Sequence, residues 1–198
     1  FQLIFCISGW VDVVYEDQGP PIRLKAGDCF IQPPEIRHRV LYASDNIEVI
    51  EIGVPAEHVT EIDYEMHLPT GQIKPDREWQ GQKFVFNQAQ GAAWKPFRLS
   101  GFTCRDTTIA QNTKDVAGVQ VVRCAEGTCP WSTHDSDIHF TFVIAGTMTL
   151  EGEGRDPYEL TAGDAFVIPP GMKTRYSDVS DDIEFMEVTL PGAFETRI

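Results

Sequence analysis

The sequence predicts an all-β chain built from two copies of one sandwich-like or barrel-like domain. Three observations carry this expectation. The stretch Gly27-Asp28-Cys29-Phe30-Ile31-Gln32-Pro33-Pro34 returns 136 residues later as Gly163-Asp164-Ala165-Phe166-Val167-Ile168-Pro169-Pro170. That period is far too long for a solenoid and suits two whole domains. Runs with strand-type patterning flank each copy, and no convincing helical period is present. The 16 glycines and 13 prolines of the 198-residue chain fall mostly at turns, as many short strands require.

The elements follow in order. Residues Phe1 to Ile7 read as a strand, Ser8-Gly9 as a turn and Trp10 to Tyr15 as the hairpin partner. After a polar loop, Ile22 to Leu24 enters the next strand, and Ala26-Gly27-Asp28 makes a tight turn in which glycine can take positive φ. Cys29 to Gln32 is a short strand stopped by Pro33-Pro34, because proline cannot donate to a ladder. His38 to Tyr42 and Ile47 to Ile52 follow, joined at Ser44-Asp45-Asn46. The second copy runs Phe140 to Ala145, Thr147 to Glu151, Tyr158 to Leu160, Ala165 to Ile168 and Thr174 to Tyr176, with Asp181 to Glu184 matching Asp45 to Glu48. Gly101 to Ala110 and Val116 to Ala125 read as strands leading into it, and Lys83 to Phe86 as a strand in the segment between. The expected domains are 1–55, a linker or arm over 56–98, and 99–198.

The totals narrow the function classes. A net charge of −14 is a poor match for nucleic acid or anionic lipid. No apolar run has the length to cross a bilayer as a helix. Cys6, Cys29, Cys104, Cys124 and Cys129 form an odd set without paired zinc-site spacing, which favours reduced, mostly buried thiols and a cytoplasmic location over disulfides. The chain opens in mid-strand without Met, so the natural protein is expected to begin earlier.

The repeat also carries recognisable motifs. Gly27, five residues, Pro33 and then His38 resembles G(X)5PXG(X)2H, with Glu35 in place of the last glycine. Gly163, Pro169 and Gly171 follow the same pattern until its final His, where Thr174 stands. Gln2-(X)6-Gly9 and His139-(X)6-Gly146 resemble the end of G(X)5HXH(X)3,4E(X)6G, with Gln2 and His139 in the Glu slot. Trp131-Ser132-Thr133-His134 looks like its HXH segment with Ser132 in place of the first His. These are the two motifs of the cupin superfamily, and the chain resembles a two-domain bicupin across nearly its whole length outside the linker. The resemblance implies two tandem cupin barrels, also termed a double-stranded β-helix or jelly roll.

It further implies a divalent transition metal (Fe, Mn, Ni, Co or Zn) inside a barrel, because imidazole and carboxylate ligands suit those ions and leave positions open for substrate. In the first barrel the implied ligands are Gln2 and His38, with two more expected upstream of Phe1. In the second, His134 and His139 remain, and a hydroxyl at Ser132 or Thr174 is a poor ligand. For His139 a hydrogen-bonded, buried role stands beside the ligand reading. Glu51 is a candidate substrate-site base if it points inward. Its recurrence as Glu187, like that of Glu48 as Glu184, also fits a shared structural role. Tyr42 and Tyr176 would line the barrel mouth or fill it. His58 and His67, among acidic linker residues, read as solvated loop positions.

The functional expectation is a metal-dependent cupin enzyme on a small organic substrate, a dioxygenase-type oxidoreductase with the metal in the first barrel and a degenerate second barrel. Isomerase and decarboxylase activities use the same kind of site. The alternative is a non-enzymatic bicupin that holds a small molecule. A homodimer is the expected assembly.

Overall fold

A computed structural model describes residues 1–57, 60–126 and 129–198. The chain divides into two compact units, Phe1–Gly91 and Ala92–Ile198. The first contains β1 (Gln2–Ser8), β2 (Trp10–Tyr15), β3 (Ile22–Lys25), β4 (Cys29–Gln32), β5 (His38–Ala43), β6 (Glu48–Gly53), β7 (Glu78–Trp79), β8 (Gln82–Lys83) and β9 (Val85–Asn87). The second contains β10 (Lys95–Pro96), β11 (Phe102–Asp106), α1 (Ile109–Asn112), β12 (Gly118–Cys124), β13 (Thr133–His134), β14 (Ile138–Ala145), β15 (Thr147–Gly152), β16 (Tyr158–Thr161), β17 (Ala165–Val167), β18 (Thr174–Ser177), β19 (Glu184–Leu190) and β20 (Thr196–Arg197).

The sequence repeat is a repeat of topology. In the first unit one sheet runs β6-β1-β4-β9 and another β3-β2-β5. In the second, the equivalent strands run β19-β14-β17, extended on the β19 side by β12, β11 and β10, and β16-β15-β18. Even an irregularity recurs. The pairing of β1 with β6 shifts register between Cys6 and Ser8, and that of β14 with β19 between Val143 and Ala145. All pairs are antiparallel, so side chains alternate between the core and the outer face.

The turns explain why the motif repeats. Gly27 and Gly163 take φ of 85° and 96°, a region that costs little only for glycine. The following aspartate then accepts from the backbone N–H three residues before it: Asp28 Oδ2 from Lys25 at 3.1 Å and Asp164 Oδ2 from Thr161 at 2.7 Å. Each Gly-Asp pair thus reverses the chain between two strands and satisfies a donor that the turn would strand.

Each unit has its own core. Cys6, Val13, Tyr15, Leu24, Phe30, Ile36 and Trp79 cluster in the first, with Phe84 and Phe86 packed against them. Phe97, Phe102, Val122, Val143, Tyr176 and Phe185 are among the corresponding residues of the second. Cys6, Cys29 and Cys104 are buried, and Cys124 and Cys129 are half-buried.

Two sequence expectations are modified. The segment expected as a linker is shared between the units: β9 pairs with β4, and Thr70, Lys74 and Arg77 all bond Asp17, which is buried at the end of β2. The strand expected over Gly101 to Ala110 stops at Asp106. Asp106 Oδ1 accepts from the Thr108 N–H at 2.8 Å, Thr108 takes φ of 63°, and the chain turns into α1. A short polar side chain that captures its own backbone in this way competes with the sheet ladder.

Candidate functional site

The interior site of the second unit is built on Glu187. It lies on β19 opposite Thr141 of β14 and Gln120 of β12, in the middle of the sheet, and is 3% exposed. A carboxylate taken this far from water needs a compensating charge. Arg98 supplies it: Nη1 donates to Oε1 at 2.5 Å and Nη2 to Oε2 at 2.6 Å. This two-pronged geometry is the strong form of the pair. The guanidinium is held flat by Phe97 and Phe194, whose ring centroids lie 4.4 and 5.1 Å from its central carbon.

His139, one strand over on β14, completes the cluster. Its Nε2 lies 2.7 Å from Glu187 Oε2, so Nε2 carries a proton and donates it. Arg98 Nη2 lies 3.3 Å from the same nitrogen, a contact between two donors. His134 packs edge-on against His139 at 4.4 Å between centroids, and its Nε2 donates to the Ile168 carbonyl at 3.1 Å. The Nδ1 atoms of both rings are buried without a hydrogen-bond partner. Ser132 and Thr174 sit in the imidazole slots of the motifs and pair with each other through their backbones, at 2.8 and 2.9 Å. The cavity among Arg98, Ser132, His134, His139, Thr174 and Tyr176 measures about 10 Å³, room for roughly one water.

The electrostatics follow from that packing. Burial pushes the Glu187 carboxyl up, but the Arg98 guanidinium and then His139 outweigh it and hold the group at about 2. Burial lowers the His134 pKa, and the neighbouring His139 and Arg98 lower it further. Tyr176 is pushed up by burial and by Glu187.

The equivalent position in the first unit is arranged differently. Gln2 donates through Nε2 to Glu51 Oε1, and its Oε1 accepts from Gln32 Nε2 at 3.1 Å. Gln32 is buried, and its own Oε1 has no hydrogen-bond partner. Glu51, the counterpart of Glu187, is exposed and makes no ion pair among the described residues. His38 lies at the start of β5, exposed on one side and stacked on Tyr15 at 5.6 Å. Its Nδ1 is 3.3 Å from the Ile36 carbonyl, which assigns the proton to Nδ1 and leaves Nε2 with a lone pair.

The sequence-derived candidates therefore separate into groups. Gln2 and Glu51 are brought together, with Gln32 added, while His38 is held by Tyr15 and Ile36. His134 and His139 are brought together with Glu187 and Arg98. Tyr176 is 3% exposed, inside the core and beside the second cavity, whereas Tyr42 is 70% exposed. His67 is exposed, and His58 lies outside the described residues. Sequence reasoning missed Arg98 and Gln32 and placed Glu187 among structural residues. The repeat flagged Glu187 by its recurrence, but nothing at that level distinguishes Arg98 from other linker cations.

A metal implied by the motifs is tested by these donor sets. Among the described residues no group of three or more His, Cys, Asp and Glu side chains is placed to hold one. In the second unit the set does not fit, because a guanidinium stands on the carboxylate and Nε2 of His139 is a donor. In the first, an unpaired carboxylate beside two amides, one with an orphaned buried oxygen, fits a cation that prefers oxygen ligands.

Residues 119–188 match the family described as a cupin domain. No curated protein matches the chain. Among solved structures the chain is similar to a glyoxylate-induced protein of Pseudomonas aeruginosa at 14% identity, covering 100% of this chain and 68% of that one with a TM-score of 0.69. It is similar to oxalate decarboxylase of Bacillus subtilis, in a structure concerned with that protein's Mn(II) centres, at 14% identity, 99% and 64% coverage and a TM-score of 0.65. For an oxalate decarboxylase of Lactobacillus farciminis in complex with formate the values are 12%, 99%, 72% and 0.70. The chain thus spans about two thirds of the length of these proteins. At these identities the likeness establishes the fold, a cupin jelly roll.

Proposed function

We propose that this cupin-fold chain acts as a metal-dependent enzyme on a small organic acid, with the chemistry in its first unit. The observation that carries the reading is the state of the repeated glutamate: Glu187 is sealed by Arg98, whereas Glu51 keeps its charge uncompensated beside Gln2 and the orphaned oxygen of Gln32. Glu51 would hold the cation with Gln2 and Gln32, and the bound ion would supply Lewis-acid polarisation of a substrate oxygen. One carboxylate and two neutral amides leave a divalent ion with net positive charge, which favours an anionic substrate. His38, held by Tyr15 and Ile36, enters this proposal as a ligand from the motif alone.

Two reaction classes fit this site. A dioxygenase-type oxidation is the reading reached from the motifs. Decarboxylation of a small acid gains support from the oxalate decarboxylases among the structural neighbours. The test is metal analysis of the full chain together with Glu51→Gln, His38→Ala and Thr174→Ala, followed by oxygen uptake and CO2 release with small mono- and dicarboxylates. Metal that is lost in Glu51→Gln, reduced in His38→Ala and retained in Thr174→Ala is expected. Oxygen consumption with substrate selects the oxidase class, and CO2 release without it selects the decarboxylase. Protein that takes up no metal overturns the proposal in favour of a barrel that only binds a small molecule.

A further inference from the structure

We infer that the interior cation of the second unit is Arg98 itself, a side chain standing where a cupin barrel would otherwise hold a metal, and that this unit excludes divalent ions for as long as Arg98 is present. Three features carry the inference. The guanidinium spans both oxygens of Glu187 at 2.5 and 2.6 Å, so the carboxylate has no oxygen left without a cationic partner. The nearest imidazole nitrogen, His139 Nε2, spends its proton on the same carboxylate at 2.7 Å and lies 3.3 Å from Arg98 Nη2. A ligand must offer a lone pair at that atom, and a second cation there would face the guanidinium at close range. The remaining cavity, about 10 Å³, has room for a water but none for an ion with its own shell.

The anchoring of Arg98 supports the same conclusion. Phe97 and Phe194 both pack against the guanidinium, and Phe194 also packs against both His134 and His139 at 6.2 and 6.0 Å. The cation, its carboxylate and the two imidazoles thus form one packed unit. Replacing Arg98 by a small side chain removes the countercharge of Glu187 and leaves a carboxylate and two imidazoles around new space. Those donors are of the chemical kind divalent transition metals accept, and the space left by Arg98 is what lets them turn toward one ion, since as placed with Arg98 present no three of them enclose it.

The experiment is a Co(II) titration of the full chain, followed by its visible absorption and by elemental analysis after desalting. Wild type and His139→Ala should take up the same amount of cobalt, since the second unit contributes no site. Arg98→Ala should gain roughly one further equivalent with new imidazole–carboxylate ligand-field bands, and Arg98→Ala/His139→Ala should lose that gain. If Arg98→Ala is too unstable to fold alone, Co(II) should restore its folding transition, an effect absent from the double variant. Two results would overturn the inference: cobalt content in the wild-type background that falls with His139→Ala, or an Arg98→Ala protein that neither gains metal nor is stabilised by it.

Discussion

The two units place the same glutamate on equivalent strands and treat it in opposite ways. In the second, Glu187 is 3% exposed and enclosed by Arg98 and His139. In the first, Glu51 is exposed and, among the described residues, its side chain is hydrogen-bonded only by the Gln2 amide. The strand order, turns and register shift are common to both, so the backbone does not dictate the difference. It comes from what lies beside the repeated strand. In the second unit β12 covers β19, which turns Glu187 from an edge residue into an interior one and makes a countercharge obligatory. Among the described residues no further strand of the first unit pairs beside β6, and Glu51 is exposed. A buried carboxylate with a fixed partner is a packing element, while an exposed one with spare valence is available to a ligand.

The tyrosines of β5 and β18 give the largest contrast that can be measured. Tyr176 is buried against Phe102, Phe166 and Phe185 at 5.6 to 6.3 Å, and Tyr42 is 70% exposed. Tyr176→Ala should lower stability by about 3–5 kcal/mol, as other buried aromatic truncations do. Tyr42→Ala should change it by no more than about 0.5 kcal/mol. Urea unfolding of the two variants checks both, and equal losses would show that Tyr42 is covered in solution.

Part of this was legible from the sequence. The Gly-Asp and Pro-Pro signals recur because they serve backbone requirements, a positive φ and a strand end, that any copy of the fold must meet. The succession of strands along each copy was read from them. Gln2, His139 and His134 were reached through motif positions and Glu51 through its recurrence in the repeat, and the structure adds their partners. Arg98 was not legible. It reaches partners 41 and 89 residues away, and period-2 patterning carries no information about which distant strand a side chain will meet. Exposure was equally hidden: by the 136-residue offset Tyr176 answers to Val40, yet the two are 3% and 59% exposed.

Acid should act on the second unit first. The His134 pKa is lowered by burial, with the proximity of His139 adding to it. The unfolded chain therefore takes up that proton at higher pH than the folded one, and stability falls as pH drops through the ordinary imidazole range near 6.5. Glu187 adds a second loss. Its carboxyl is held at about 2 because Arg98 and His139 outweigh its burial, so its contribution is complete above the ordinary value of 4.5 and disappears as pH falls from there toward 2. In the first unit Asp17, held at about 2 by hydrogen bonds from Lys74, Arg77 and Thr70 against the effect of burial, acts only in that lower window. Urea midpoints at pH 7.5, 5.5 and 3.5 should decline in both intervals, and His134→Gln should flatten the upper one alone. An upper interval unchanged in that variant would remove His134 from the account.

The smallest expected effect tests the repeat at a single backbone position. Gly171 takes φ of 77°, and Glu35, its counterpart, takes φ of 67°. The turn after Pro-Pro needs the left-handed region in both copies, and a residue with Cβ occupies it at a cost of about 1 kcal/mol or more. Glu35 recovers part of that through Gln80, whose Nε2 donates to its carboxylate at 2.9 Å in an exposed setting where such a bond adds little. Glu35→Gly should therefore raise stability, by about 0.5 kcal/mol once the extra freedom of glycine in the unfolded chain is subtracted. Gly171→Glu should lower it by about 1 kcal/mol, since no Cβ is accommodated there without the same strain. Opposite signs for the two exchanges would establish that one backbone conformation is required at both sites, and that the first unit carries a strained residue where the second does not. A loss in Glu35→Gly would assign the carboxylate a larger role than its one visible hydrogen bond, and would direct attention to ligands that reach the β4–β5 turn.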